Sequence, residues 1–255
     1  MSLVVRDLAV SFGGVAALGG VSFTVERGTV TSLIGPNGAG KTTAFNVITG
    51  YLPAASGEVT YEGIALTGLR PHDIAGRGIV RTFQKTSLFP ALSAFDNVMI
   101  GLHLRARATL AQALFRRRRV KAEDAALASA TDEILAFVGL TRHRATVASA
   151  MAYGEQRLLE LAIALAARPR LLLLDEPAAG MTAAEKAAVT GLIQKIRGRD
   201  VTVLLVEHDM RLVMGISDRV VVLNYGKVIA DGPPAQVTVH PEVIRAYLGS
   251  SRAEA

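Results

Sequence analysis

Val30-Thr-Ser-Leu-Ile-Gly35-Pro-Asn-Gly-Ala-Gly-Lys41-Thr-Thr43 is the stretch that decides how this chain folds. Its first five residues read as a strand covered on both faces, closed by a glycine. Gly35 to Thr42 then match G-x-x-x-x-G-K-[ST] between that strand and a helix opening near Lys41. Glycines let backbone amides turn inward around a polyphosphate, and the helix start adds the positive end of its dipole. An ordinary glycine turn would explain the string but not its strand-to-helix setting. Gly35, Pro36, Asn37, Gly38, Ala39, Gly40, Lys41, Thr42 and Thr43 are therefore expected to hold a nucleotide. Lys41 would reach its β and γ phosphates, and the Thr42 hydroxyl would ligate Mg²⁺ bridging the same oxygens.

A phosphate-bound metal needs a second ligand, and hydrolysis needs a group to take a proton from water. Leu171 to Leu174 followed by Asp175-Glu176-Pro177 offers both. A continuous apolar run is a buried parallel strand, so its carboxylates emerge at the C-terminal edge, where open α/β sheets bind ligands. Asp175 is expected on the metal side, and Glu176 as general base.

Working outward, Val21, Phe23 and Val25 alternate, whereas Val201 to Val206 reads as a run of apolar residues without that alternation, interrupted only by Thr202. Helical spacing joins Leu158, Leu161, Ala162 and Leu165, and again Val189, Leu192, Ile193 and Ile196. Alternating strand and helix predict an α/β fold with a mostly parallel sheet flanked by helices. The first thirty residues have turns at Gly13-Gly14 and Arg27-Gly28 and no room for crossover helices, so they should form an antiparallel layer. Ala91 to Ala150 contains no convincing strand and reads as a helical insertion. One domain is expected, with residues 1–90 and 151–255 as its nucleotide-binding core and 91–150 as a helical sub-domain.

Composition narrows the classes further. At 255 residues with 50% hydrophobic and 20% charged content, the chain is neither disordered nor a polar repeat array. Zero Cys excludes a thiol nucleophile and Cys-ligated metal centres. The five His residues show no metal-ligand spacing. Met1 to Val10 does not read as a signal peptide, and the richest apolar stretches fall far short of the roughly 18 residues that cross a bilayer. Of the net charge of +6, five units sit on Arg116 to Arg119 and Lys121. A solvated helix end is the simpler account of that cluster, and contact with lipid headgroups or an acidic partner the other. With 5% aromatics and no Trp, nucleic-acid binding is not expected. A guanine-reading Asn-Lys-x-Asp string is absent from the sequence. The chain closes with a short helix at Pro241 to Leu248, so no C-terminal sensing domain is expected.

Several motifs together resemble the ATPase subunits of ABC transporters, in the order seen there: the phosphate loop, Gln84 in Arg-Thr-Phe-Gln, Ala-Tyr-Gly-Glu-Gln at 152–156, Leu-Leu-Leu-Leu-Asp-Glu-Pro, and His208 in Glu-His-Asp. Asp-Glu-Pro-Ala-Ala-Gly, Met-Gly-Ile-Ser-Asp-Arg and the terminal Val-Ile-Arg-Ala-Tyr-Leu-Gly look closest to the G-type ATPase of branched-chain amino acid importers. The resemblance spans nearly the whole chain. It implies ATP hydrolysis coupled to transport at the cytoplasmic face of the inner membrane, with two membrane permease subunits and, indirectly, an external solute-binding protein. A lipid or lipopolysaccharide exporter, or a urea or amide importer, is the alternative.

Residue by residue, the resemblance implies that Phe12 stacks on adenine. It places Gln84 on Mg²⁺ and the attacking water, and sets His208 against the γ-phosphate and Glu176. Tyr153, Gly154 and Glu155 would belong to the signature loop that faces the nucleotide of a second ATPase subunit in a head-to-tail dimer. Met151, Ala152 and Tyr153 depart from the common Leu-Ser-Gly, so the serine hydroxyl is missing, and Thr182 stands where many relatives carry Asp. Unequal ATP sites in a heterodimer are expected from these departures.

Overall fold

The computed structural model describes residues 2–82, 88–103 and 117–250. Gln84 and Arg116 lie outside them, as do the side chains of the rest of the Arg cluster. In chain order the elements begin with β1 (Leu3–Phe12), β2 (Val15–Val25), β3 (Val30–Ile34), α1 (Lys41–Ile48), β4 (Ser56–Tyr61), β5 (Ile64–Ala65), α2 (Pro71–Gly76) and β6 (Ile79–Arg81). Among the described residues, the α-helices that follow are α3 (Ala94–His103), α4 (Arg117–Phe137) and α5 (Tyr153–Ala166). The chain then returns to alternating elements: β7 (Leu171–Asp175), α6 (Ala183–Arg197), β8 (Thr202–Val206), α7 (Met210–Ile216), β9 (Arg219–Asn224), β10 (Lys227–Gly232), α8 (Pro234–Thr238) and α9 (Pro241–Ser250).

Contacts divide the chain into two compact units, residues 82–169 and the remainder. The larger unit holds both sheets. A six-stranded sheet runs β10-β9-β3-β8-β7-β6, parallel except for β10 against β9. Every residue of β3, β7 and β8 is buried, including Thr31, Ser32, Thr202 and Asp175, as expected of strands that helices cover on both faces. A four-stranded antiparallel sheet runs β2-β1-β4-β5, so the N-terminal layer recruits residues 56–65 as well as the first thirty. Phe45, Ile48, Leu33, Val221 and Leu223 join side chains of both sheets in one core.

A second cluster of Ile34, Val213, Val220, Val222, Val237 and Val243 lies where α8 and α9 end the unit. Val237 and Val243, at 2% and 5% exposure, contribute on the order of 1.5–3 kcal/mol each, which docks helices too short to be stable alone. In the smaller unit, α3 packs on α5 and α4, and Gly101 lets α3 approach α5 so closely that a Cβ would stand 3.1 Å from the Ile163 carbonyl oxygen. This unit extends past the 91–150 span read from sequence and takes in α5.

Candidate functional site

The phosphate loop leaves β3 through the centre of the larger sheet. Gly35 has φ 151°, and a Cβ there would lie 2.1 Å from the Leu223 carbonyl oxygen, so this position admits only glycine. Gly40, at φ 104°, is pressed against the Ala17 carbonyl oxygen, 2.7 Å from where a Cβ would stand. The loop is held from below as well: Ala39 O accepts from Gly226 N at 3.0 Å, and Gly226 O accepts from Gly19 N at 2.8 Å. Asn37 and Gly38 are left exposed at the tip. Helix α1 has neither a side-chain cap nor an acidic residue in its first turn. Its leading N–H groups therefore await an acceptor, and an anion is the partner that the dipole favours.

Lys41 is buried at 6% exposure, and its ammonium donates to Gly35 O at 2.7 Å and Pro36 O at 2.9 Å. Burial pushes its pKa below the usual lysine value, while the charges of Glu176 and Asp175 oppose that shift. Both acids thus act on Lys41 although β8 separates β3 from β7, a spacing of about 10 Å at the ordinary interstrand distance.

Asp175 ends β7 and is itself 2% exposed. Arg81, at the end of β6, donates from Nη2 to Asp175 Oδ2 at 2.8 Å and from Nη1 to Asn46 Oδ1 at 2.7 Å, while its guanidinium lies 5.4 Å from the centroid of the Phe45 ring. One guanidinium therefore ties the Asp175 carboxylate to α1. Glu176 follows in the left-handed region at φ 50°, a conformation that costs a non-glycine residue of order 1–3 kcal/mol and clusters at functional sites. Its N–H donates to Val206 O at 2.8 Å, which holds the distorted turn against β8.

His208 Nε2 lies 2.8 Å from Glu176 Oε1. Where the carboxylate is ionised it can only accept, and Nε2–H is then the donor. The pair expected from sequence is thus assembled, although His208 remains 44% exposed at its side chain. Buried Glu207 aligns the two loops: Oε1 accepts from Ala178 N at 2.9 Å, and Oε2 from His208 N at 2.9 Å and Asp209 N at 3.3 Å. Sequence reading passed over Arg81 and Glu207. Each is a lone charge at the end of an apolar strand, and that was the available signal, since such a charge must be paired when buried.

Phe12 is 52% exposed at the tip of the β1–β2 hairpin, whose second strand abuts Gly40. Thr182 caps α6: its N–H and Oγ1 both donate to Glu185 Oε2, at 2.8 and 2.7 Å, and its Oγ1 accepts from Glu185 N at 3.4 Å. That reciprocal cap accounts for a hydroxyl residue at this position.

In the smaller unit, Tyr153 to Gln156 open α5. Ala152 offers no side-chain acceptor, and Glu155 Oε2 accepts from Ala152 N at 2.9 Å while its Oε1 meets His143 Nε2 at 3.0 Å. Tyr153 is 45% exposed, and its Oη accepts from Arg157 Nε at 3.1 Å. Gly154 is buried under the same turn.

Fold and loop together define a P-loop nucleotide-binding protein. A family model described as ABC transporter matches residues 18–179, and one described as Branched-chain amino acid ATP-binding cassette transporter matches 227–253. BraF of Pseudomonas aeruginosa, a high-affinity branched-chain amino acid transport ATP-binding protein, is 43% identical over 98% of both chains. LivG of Escherichia coli K12, described in the same words, is 41% identical over 98% of both. An ATP-binding cassette of an ABC transporter, solved in its ADP conformation, superposes with a TM-score of 0.85 at 31% identity, over 97% of this chain and 98% of the other. The chain belongs to the ABC transporter family, as an ATP-binding cassette. No helix among the described residues is long and apolar enough to cross a membrane.

Replacing Arg81 by Ala should destabilise the fold by about 3–5 kcal/mol in urea unfolding, because it strips a buried carboxylate of its ion-pair partner. A loss below about 1 kcal/mol would show that Asp175 does not depend on the guanidinium.

Proposed function

We propose that this chain is the ATP-hydrolysing subunit of an importer for branched-chain or related amino acids. The observation that carries the proposal is the meeting of an uncapped phosphate-loop helix, a buried lysine and the Asp175–Glu176–His208 group in one unit of a chain 43% identical to BraF. The C-terminal match to a model with the branched-chain name favours import over the exporter alternative.

The donor set fits nucleotide with Mg²⁺. The amides of residues 38–43 turn around the phosphate tail, and Lys41 gives up the Gly35 and Pro36 carbonyls for the β and γ phosphates. Phe12 stacks on the adenine. Thr42, Asp175 and Gln84 are the residues that would hold the metal, which when bound neutralises charge building on the phosphate oxygens. Glu176 takes a proton as water oxygen bonds to the γ phosphorus and the bond to the β–γ bridging oxygen breaks, leaving ADP and phosphate. His208 fixes Glu176 through its Nε2 proton and lies at the γ-phosphate end.

The assembly proposed is a head-to-tail pair with a different ATPase chain, docked on two membrane permease subunits at the cytoplasmic face of the inner membrane and served by an external solute-binding protein. Tyr153, Gly154 and Glu155 face the partner's nucleotide. Two features support a weaker site there. Ala152 lacks the hydroxyl, forgoing a charge-assisted hydrogen bond of about 1.5–3 kcal/mol. Glu155 also places a carboxylate at the helix start, where it competes with an incoming phosphate for the Ala152 N–H.

Glu176→Gln should keep ATP binding but lower turnover by about 10²-fold or more, whereas Lys41→Ala should abolish tight nucleotide binding. Full turnover in the first, or intact binding in the second, reassigns that residue. For the assembly, purified transporter should contain two different ATPase chains with unequal hydrolysis at the two sites. A homodimer with equal rates contradicts it.

A further inference from the structure

We infer that Lys186, on α6, is a positioning residue for the Glu176–His208 pair: through Asp209 it ties the loop that carries His208 to the helix that the chain enters after Glu176. The inference rests on the catalytic reading of that pair above and adds two residues that the reading does not use.

Glu176 and His208 stand on different loops, one leaving β7 and the other leaving β8. Their side chains meet at 2.8 Å, and Glu207 joins the two backbones just behind them. A third tie lies beyond. Lys186 Nζ donates to Asp209 Oδ2 at 2.7 Å, across 23 positions of sequence. Asp209 directly follows His208 and caps α7: its Oδ1 accepts from Arg211 N at 3.0 Å and Leu212 N at 3.2 Å, while its own N–H goes to Glu207. Lys186 is anchored in turn, since its N–H donates to Thr182 O at 2.9 Å at the head of α6. Residues 177–182 alone separate Glu176 from that helix.

The tip contact cannot hold the two loops through the reaction. Once Glu176 has taken a proton from the attacking water it is neutral, and its hold on His208 weakens. Glu207 and the Lys186–Asp209 pair involve neither reacting side chain, so both ties persist. Asp209 holds the Lys186 ammonium above its usual value, and Lys186 with the Leu212 N–H holds Asp209 below the usual carboxylate range, so both stay charged at physiological pH. The two side chains are 34% and 25% exposed, and a pair so open to water adds little to stability. What it fixes is position. A general base depends on position, since a displacement of about 1 Å can cost about 10²-fold in rate.

The test uses the full chain, with Mg²⁺-ATP turnover and the binding of a fluorescent N-methylanthraniloyl derivative of ADP as readouts. Lys186→Met removes the charge and keeps most of the stem. Its kcat should fall between about three- and thirtyfold while KM and the ADP Kd stay within about twofold, because the cradle after β3 is untouched. Lys186→Arg keeps a cationic donor and should recover most of kcat. Asp209→Asn keeps the Oδ1 cap and loses the charge; combined with Lys186→Met it should lower kcat no further than the larger single effect. Arg70→Ala breaks an exposed ion pair with Asp73 and should leave kcat unchanged. The urea midpoint should not move in any of these variants.

The inference is overturned by full kcat in Lys186→Met, by no recovery in Lys186→Arg, by additive losses in the double variant, or by an equal loss in Arg70→Ala. A Lys186→Met chain that unfolds or loses stability overturns it too, because the pair would then be structural. A native chain that binds ATP without hydrolysing it overturns the catalytic reading itself. Hydrogen exchange then decides the inference alone: the His208 and Asp209 amides should lose protection in Lys186→Met and regain it in Lys186→Arg, and unchanged protection overturns it.

Discussion

Everything at this site depends on one backbone passage, from a strand with no exposed residue into a helix with no cap. At Gly35 the passage runs so close to the end of β9 that no side chain fits, and at Gly40 it is pressed, less tightly, against β2. Such packing fixes the direction in which the loop amides point before any ligand arrives. The cost is a buried lysine in a poor dielectric, and it is offset locally: two loop carbonyls accept from Lys41 Nζ, and the charges of Asp175 and Glu176 reach it across the sheet. A pre-shaped anion cradle with its cation already in place is electrostatic preorganisation in its simplest form.

The acidic side of the site follows a second constraint. Asp175 is too buried to stand without a counter-charge, and Arg81 supplies one that also grips α1 through Asn46. Glu176 must turn away from the strand axis, and does so in a strained conformation locked by Val206 and His208. Glu207 gathers three N–H groups from the loops carrying Glu176 and His208, so both of these residues are positioned by one buried carboxylate. Strain and burial are concentrated where the chemistry is assigned, and the surrounding sheet absorbs both.

Much of this was legible before any coordinates. The apolar-rich, non-alternating stretches at 30–34, 171–174 and 201–206 name the central strands, because strands covered on both faces can dispense with alternation. Glycine spacing named the loop, and the acids after Leu174 named its counterpart. Less legible were contacts set by tertiary approach: nothing in the local pattern at 79–81 says that Arg81 meets Asp175, 94 positions away. The short strands at 56–61 and 64–65 were invisible as members of the N-terminal layer, since the first pairs with distant β1 and the second joins the sheet only through the first. Thr182 stands where many relatives carry Asp, and the reciprocal cap that its hydroxyl closes with Glu185 was not read from the sequence. Glu155 likewise proved to hold the head of its own helix.

The central claim is that the loop at 35–42 and the carboxylate of Asp175 grip one metal–nucleotide complex together. The thermodynamic coupling between Mg²⁺ and ADP tests it most directly, measured by calorimetric titration of each in the presence and absence of the other. The account predicts that Mg²⁺ tightens ADP binding to the native protein and that Asp175→Asn largely abolishes the coupling while ADP alone still binds. Full coupling retained in Asp175→Asn would contradict it.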